Sequence, residues 1–228
     1  MENAQPLQTG SLFMKWKGII FDRDGTLFDS LPVILRSFNF GIEPFADKRP
    51  ANEEWFSAFG PAEPEVLGKF IAPEHKAEAF DRFYRYYTEH IAEIHLFPGI
   101  LELLGRLKAG GCKIGLFTGG GMKSSRFCLT HAGILELFDV LVTGDMVAHP
   151  KPDPEGVLIA MRHMQVRSQE TIVAGDAGSD VAAGKKAGAV SVLAQWGVYP
   201  VTNELLVKPD YTFTSVTGFE RFLFEEAQ

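Results

Sequence analysis

Short apolar runs alternating with segments of helical spacing constrain this 228-residue chain more than any other feature. The runs fall at 17–22, 112–118, 140–143, 171–174 and 190–194. Stretches patterned as helices fall at 99–110, 121–132, 154–164 and 179–187, each with Gly, Pro or Ser near its start. Strands that alternate with helices imply right-handed crossovers and a largely parallel sheet. A further run at 211–214 predicts an edge strand before a last helix over 218–226.

The rhythm breaks between Leu31 and about Leu96. No strand pattern is present there, but helical patterns occur at 32–40, 52–59, 63–71 and 75–94. In the last of these, Phe80, Phe83, Tyr84, Tyr87, Ile91 and Ile94 recur at three- and four-residue spacing and form one apolar stripe, the mark of a helix-bundle core. This predicts a helical lid over 31–96, inserted into an α/β core made of 1–30 and 97–228.

The formal net charge of −7, spread along the chain, argues against nucleic acid or an anionic membrane as partner. Cys112 and Cys128 form no Cys-x-x-Cys pair and read as small buried hydrophobes. No apolar stretch approaches the roughly 18–20 residues of a membrane span, and residues 1–13 lack the pattern of a secretory signal. Those first residues read as a disordered or expression-derived extension. A cytoplasmic setting is expected, with the chain either a monomer or a homodimer.

The first run ends in Asp22-Arg23-Asp24-Gly25-Thr26-Leu27-Phe28-Asp29-Ser30. Strand alternation sends Asp22 and Asp24 to one side as the chain leaves the sheet, where Gly25 permits a sharp turn and Thr26 can bond it in place. Paired carboxylates repel unless a cation or shared proton relieves them. They suit a nucleophile beside an acid/base, or a hard-metal site.

Ligands of open parallel sheets bind beyond the carboxyl ends of the strands, and three later runs end in chemistry there. Thr118-Gly119-Gly120-Gly121 offers a hydroxyl, close backbone approach and the N-terminus of the next helix to an anion, although a plain turn explains it equally well. Alternating prolines in His149-Pro-Lys151-Pro-Asp-Pro154 hold one lysine in a stiff segment; the competing reading is a solvated loop lysine. Gly175-Asp176-Ala-Gly-Ser-Asp180 places two aspartates four residues apart at a helix start. A helix cap accounts for one of these aspartates, but not for both together with Asp22 and Asp24.

Taken in order, Asp22-x-Asp24-Gly-Thr-Leu, Thr118, Lys151 and Asp176 with Asp180 match the four motifs of the haloacid dehalogenase-like superfamily. The first resembles most the phosphoglycolate phosphatase-like branch. The resemblance spans about residues 17–195. It implies a Rossmann-like parallel-sheet core with a helical cap inserted after the first strand, and a magnesium-dependent phosphatase acting on a small phosphorylated metabolite. Asp22 is then the nucleophile and Asp24 the acid/base, which must hold a proton for its first task, a state that neighbouring negative charge favours. Mg2+ would be held by Asp22, the Asp24 carbonyl and Asp176, with Asp180 behind them orienting Lys151 or a metal-bound water. Thr118, the Gly119 N–H and Lys151 would bind the phosphoryl group.

Arg23 departs from the family pattern, which has an apolar or aromatic residue there. It is expected either to contact the leaving group or to pair with an acidic cap residue. Arg36, Lys69, Arg82 and Arg85 are candidate cap contacts for a substrate carboxylate, and phosphoglycolate is the first substrate to test. The Phe59-Gly60-Pro61 turn resembles the loop by which such caps reach the site, and an ordinary helix connection is the equal alternative. The rival functions are a phosphomutase of the same superfamily and a catalytically idle binding module. A dehalogenase would lack Asp24.

Overall fold

A computed structural model describes residues 15–197 and 207–225. The extension expected over 1–13 and the helix end expected at 226 lie outside these residues. The chain runs through strands β1 (Gly18–Phe21) and β2 (Phe28–Asp29), then helices α1 (Leu31–Ile42), α2 (Asn52–Ala58), α3 (Glu63–Leu67) and α4 (Lys76–Glu89). Strand β3 (His95–Leu96), helix α5 (Ile100–Ala109), strand β4 (Lys113–Phe117), helix α6 (Met122–His131) and strand β5 (Val140–Val142) follow. Helix α7 (Glu155–Met164), strand β6 (Thr171–Gly175), helix α8 (Gly178–Lys186), strands β7 (Val190–Ala194) and β8 (Tyr211–Phe213), and helix α9 (Val216–Glu225) complete it.

Six strands form one parallel sheet in the order β5-β4-β1-β6-β7-β8. This is the Rossmann-like α/β core expected from the alternation. Strand β1 pairs with β4 on one side and β6 on the other, so all four of its residues are buried. Period-two alternation divides them. Ile19 and Phe21 join Ile114, Leu116, Ile172 and the apolar stripes of α5 and α9, while Ile20 joins Phe117, Val173 and the stripe of α7. Each such side chain contributes about 1.5–3 kcal/mol by leaving water. The chain runs from β1 outward to β4 and β5, then returns to the other flank at β6. The carboxyl ends of β1, β4 and β6 therefore open together where the strand order reverses.

The helices between β2 and β3 form a layer of their own, with α1 packed along α4. Trp55 is buried at its centre, stacked on Phe38 at 5.0 Å. The helix expected over 75–94 is shorter, because α4 ends at Glu89 and Ile91–Glu93 form a 3₁₀ turn. Its apolar stripe does two jobs. Phe83 and Tyr87 are buried, while Tyr84 faces α6, edge-on to Phe127 and 3.8 Å from the Lys123 ammonium.

The expectation of no strand between Leu31 and Leu96 fails at its end. His95–Leu96 pairs antiparallel with Phe28–Asp29 and makes a two-stranded ribbon where the helical layer leaves and rejoins the sheet. Two-residue strands are too short to show any alternation. No helix among the described residues is long and apolar enough to cross a membrane.

Candidate active site

The reversal point of the sheet carries a cavity of about 490 Å³. Its lining includes Asp22, Asp24, Thr118, Gly119, Lys151, Asp176 and Asp180, with Leu31, Ile34, Phe38, Phe56, Phe59 and Phe83 contributed by the helical layer. The strand ends bring together every core residue singled out by the sequence.

Asp22 follows the last residue of β1, and its backbone N–H donates to the Ala174 carbonyl at 2.9 Å, tying the turn to β6. Beyond it the chain reverses tightly. The N–H groups of Leu27 and Phe28 both donate to the Arg23 carbonyl, and that of Gly25 donates to the Phe28 carbonyl at 2.8 Å. Gly25 has φ +81°, a left-handed conformation, and a Cβ at this position would lie 2.3 Å from Asp176 Oδ2. Gly25→Ala is therefore expected to destabilise the protein by about 1–2 kcal/mol from backbone strain alone and to displace Asp176. Urea denaturation alongside activity would check this; a fully active, equally stable variant would contradict the geometry.

Lys151 Nζ donates to Asp22 Oδ1 at 2.7 Å and also to Asp180 Oδ1, and it sits 4.9 Å from the centre of the Phe117 ring. It is only 8% exposed, so the solvated-lysine reading does not hold. Burial alone would lower the Lys151 ammonium, but Asp180 and Asp22 outweigh burial and hold it above the ordinary lysine value. Asp22 is pushed up to about 7, chiefly by burial and against the pull of Lys151, with Asp180 and Asp24 adding repulsion. Asp176 is likewise raised by burial and by Asp22 and Asp180. One carboxylate oxygen from each of Asp22, Asp176 and Asp180 lies within 4.8 Å of the others.

Asp180 serves two partners, since its Oδ2 also accepts the Ala177 N–H at 3.0 Å. Thr118 is buried; its N–H donates to the Val142 carbonyl, and its Oγ1 accepts the Gly120 N–H at 3.1 Å. The hydroxyl hydrogen remains to be donated elsewhere.

Several residues do something other than expected. Of the two contacts expected of Arg23, the ion pair with an acidic cap residue is not made; it lines the cavity and pairs instead with its neighbour Asp24. Its guanidinium is buried, with Nε 2.9 Å and Nη2 2.7 Å from Asp24 Oδ2, and Nη1 2.7 Å from Ser125 Oγ and 3.3 Å from Ser124 Oγ. Asp24 thus meets a guanidinium as well as the repelling Asp22 carboxylate. Ser30, the residue before α1, makes no side-chain cap bond and donates to Asp24 Oδ1 at 2.6 Å. Thr26 Oγ1 donates not to its own turn but to Asp176 Oδ1 at 2.9 Å.

The N-terminus of α6 is not left open for an anion. Glu63, from the helical layer, accepts the Gly121 N–H at 2.8 Å and the Ser124 hydroxyl, and Asp145 accepts the Met122 N–H. The Phe59-Gly60-Pro61 turn lines the cavity and lies so close to the sheet that a Cβ on Gly119 would meet the Gly60 carbonyl at 2.7 Å.

The candidate cap cations are all engaged away from the cavity. Arg36 pairs with Glu93, Lys69 Nζ donates to the Ala58 carbonyl, Arg82 holds Glu43 and the Phe40 carbonyl, and Arg85 lies over the Phe40 ring. Sequence gives no sign of these pairings, because each depends on which face of its helix points inward.

The family model for haloacid dehalogenase-like hydrolases matches residues 19–194. Among curated proteins, the "Probable phosphatase IndB" of Dickeya dadantii is 30% identical over 210 residues, covering 88% of this chain and 91% of that protein. The pyrophosphatase PpaX of Bacillus mycoides is 29% identical over 206 residues, covering 90% of this chain and 95% of its own. Among solved structures, a predicted phosphoglycolate phosphatase from Haemophilus somnus superposes with a TM-score of 0.79 at 24% identity, over 95% of this chain and 100% of that one.

Proposed function

The chain belongs to the haloacid dehalogenase-like hydrolases, and on that premise we propose that it is a magnesium-dependent phosphohydrolase cleaving a small phosphomonoester through an aspartyl-phosphate. One observation carries the reading. Asp22 stands at the floor of the cavity beside Asp24, within hydrogen-bonding distance of Lys151 and beside Asp176 and Asp180. The names of the IndB and PpaX relatives support hydrolysis of phosphoryl groups.

The donor set suits a hard divalent ion. Asp22 and Asp180 share the Lys151 ammonium, Asp176 meets the Thr26 hydroxyl rather than a cation, and burial with mutual repulsion raises Asp22 and Asp176, so the cluster lacks positive charge. Asp22, Asp176 and the Asp24 carbonyl would hold Mg2+, with Asp180 turned to Lys151. The bound ion would supply charge neutralisation for the phosphoryl oxygens.

An oxygen of ionised Asp22 attacks phosphorus and displaces the alcohol oxygen, which takes a proton from Asp24. Asp24 then takes a proton from the water that hydrolyses the aspartyl-phosphate. Arg23 and Ser30 donate to the two oxygens of Asp24, which fixes its orientation and favours the carboxylate, the form that takes a proton from the water. Lys151 opposes the negative charge of the phosphoryl group, while the Thr118 hydroxyl and Gly119 N–H donate to its oxygens. The helical layer covers one side of the cavity, with Glu63 seated on α6.

Purified protein offered a panel of phosphate esters should release inorganic phosphate with Mg2+, lose that activity to a chelator and regain it on adding Mg2+. Hydrolysis of a single ester without a second sugar phosphate would separate this reading from a mutase. Magnesium should also raise thermal stability, by about 2.7 kcal/mol at a hundredfold excess over its Kd. Asp176→Asn should remove most of that gain. Phosphate release indifferent to chelation would refute the metal assignment.

A further inference from the structure

We infer that the preferred substrate of this site is a phosphate ester of an uncharged, largely apolar or aromatic alcohol, rather than one carrying a second anionic group. This rests on the phosphohydrolase reading above and specifies its substrate class. The only cations lining the cavity are Arg23 and Lys151, against five carboxylates: Asp22, Asp24, Glu63, Asp176 and Asp180. Both cations are committed, Arg23 to Asp24 and Lys151 to Asp22 and Asp180. Residues 1–14, 198–206 and 226–228 contain no Lys, Arg or His, so every basic side chain of the protein is among those described.

With Mg2+ and Lys151 taken up by the phosphoryl group and the core aspartates, a carboxylate or second phosphate on the leaving group would be desolvated with no cation of its own, a costly arrangement. The helical layer's side of the cavity is mostly apolar: Phe56 and Phe59 are half-buried there, backed by the buried Leu31, Ile34, Phe38 and Phe83, with Ser57 and Glu63 its polar members. Four of these are phenylalanines, and Phe38 lies 5.5 Å from Phe59 and 4.7 Å from Phe83, ring centre to ring centre. Such a wall removes apolar surface from water and accepts a flat ring against its faces. A cavity of about 490 Å³ also falls in the range of sites for medium-sized organic ligands, well beyond the needs of a two-carbon acid.

The test compares kcat/KM at saturating Mg2+ for ethyl, butyl and hexyl phosphate, phenyl phosphate, phosphoglycolate and inorganic pyrophosphate. The alkyl series holds leaving-group chemistry nearly constant while apolar area grows. It should rise by about fourfold per added methylene until the wall is covered. Phenyl and hexyl phosphate should exceed phosphoglycolate and pyrophosphate by about tenfold or more.

A flat alkyl series, or phosphoglycolate or pyrophosphate turned over fastest, would overturn the inference while leaving the hydrolase reading intact. No phosphate from any compound would overturn the hydrolase reading instead. Calorimetric titration of the Asp22→Asn protein with hexyl phosphate and phosphoglycolate then decides the pocket's preference without turnover. Tighter binding of hexyl phosphate upholds it, and tighter binding of phosphoglycolate refutes it.

Discussion

Asp22→Asn is expected to lower phosphate release by about 10⁴-fold or more, with the fold intact. An amide oxygen is a poor nucleophile, and loss of the covalent route returns the reaction to direct attack by water. The substitution is nearly isosteric and withdraws one charge from a crowded acidic cluster in which Asp22 and Asp176 stand above their ordinary range. The remaining Asp180 still holds Lys151. Melting of the variant should therefore stay within a few degrees of the parent, about the shift that 1 kcal/mol produces. Retention of full metal-dependent activity would remove Asp22 from the role of nucleophile. Loss of activity with unfolding would leave the role open to a structural explanation, so both measurements are needed on one preparation.

Lys151→Met should do two kinds of damage at once. It removes the only ammonium that meets Asp22 and Asp180, stranding two nearly buried carboxylates, and breaking a buried pair in this way costs about 3–5 kcal/mol. It also removes the positive charge proposed to meet the phosphoryl group, a loss of about 10²–10³-fold in kcat for contacts of this kind. The two effects separate under magnesium. Added Mg2+ should restore part of the stability, because a divalent ion answers the same carboxylates, but not the rate. A variant as stable as the parent without metal would show that the two ion pairs contribute little.

How much of this was legible in the chain depends on what each residue's neighbours share with it in sequence. The central strands could be read because a strand buried on both faces is a run of apolar residues, as at Ile19, Ile20 and Phe21. The convergence of Asp22, Thr118, Lys151 and Asp176 followed from one rule about strand ends, and the cavity lining brings them to one place. Side-chain direction was not legible. Nothing local marks Ser30 as the partner of Asp24, and Arg23 turns inward to two serines a hundred residues away. Glu63 looks like an ordinary first-turn acid of α3, yet its carboxylate reaches α6. Those contacts join segments remote in sequence, and no local period encodes them.

The ribbon of Phe28–Asp29 with His95–Leu96 has an architectural consequence. Because the outgoing and returning chains are hydrogen-bonded neighbours, about 5 Å apart, everything between them is an appendage on a single stalk. Its excision would leave no gap wider than a tight turn can bridge, and strand register in the parent sheet would be undisturbed. The scaffold is thus a socket. A shorter loop or an unrelated helical bundle with adjacent ends could be spliced there, exchanging selectivity, provided that Ser30 stays to hold Asp24 and the Glu63 contact to α6 is replaced.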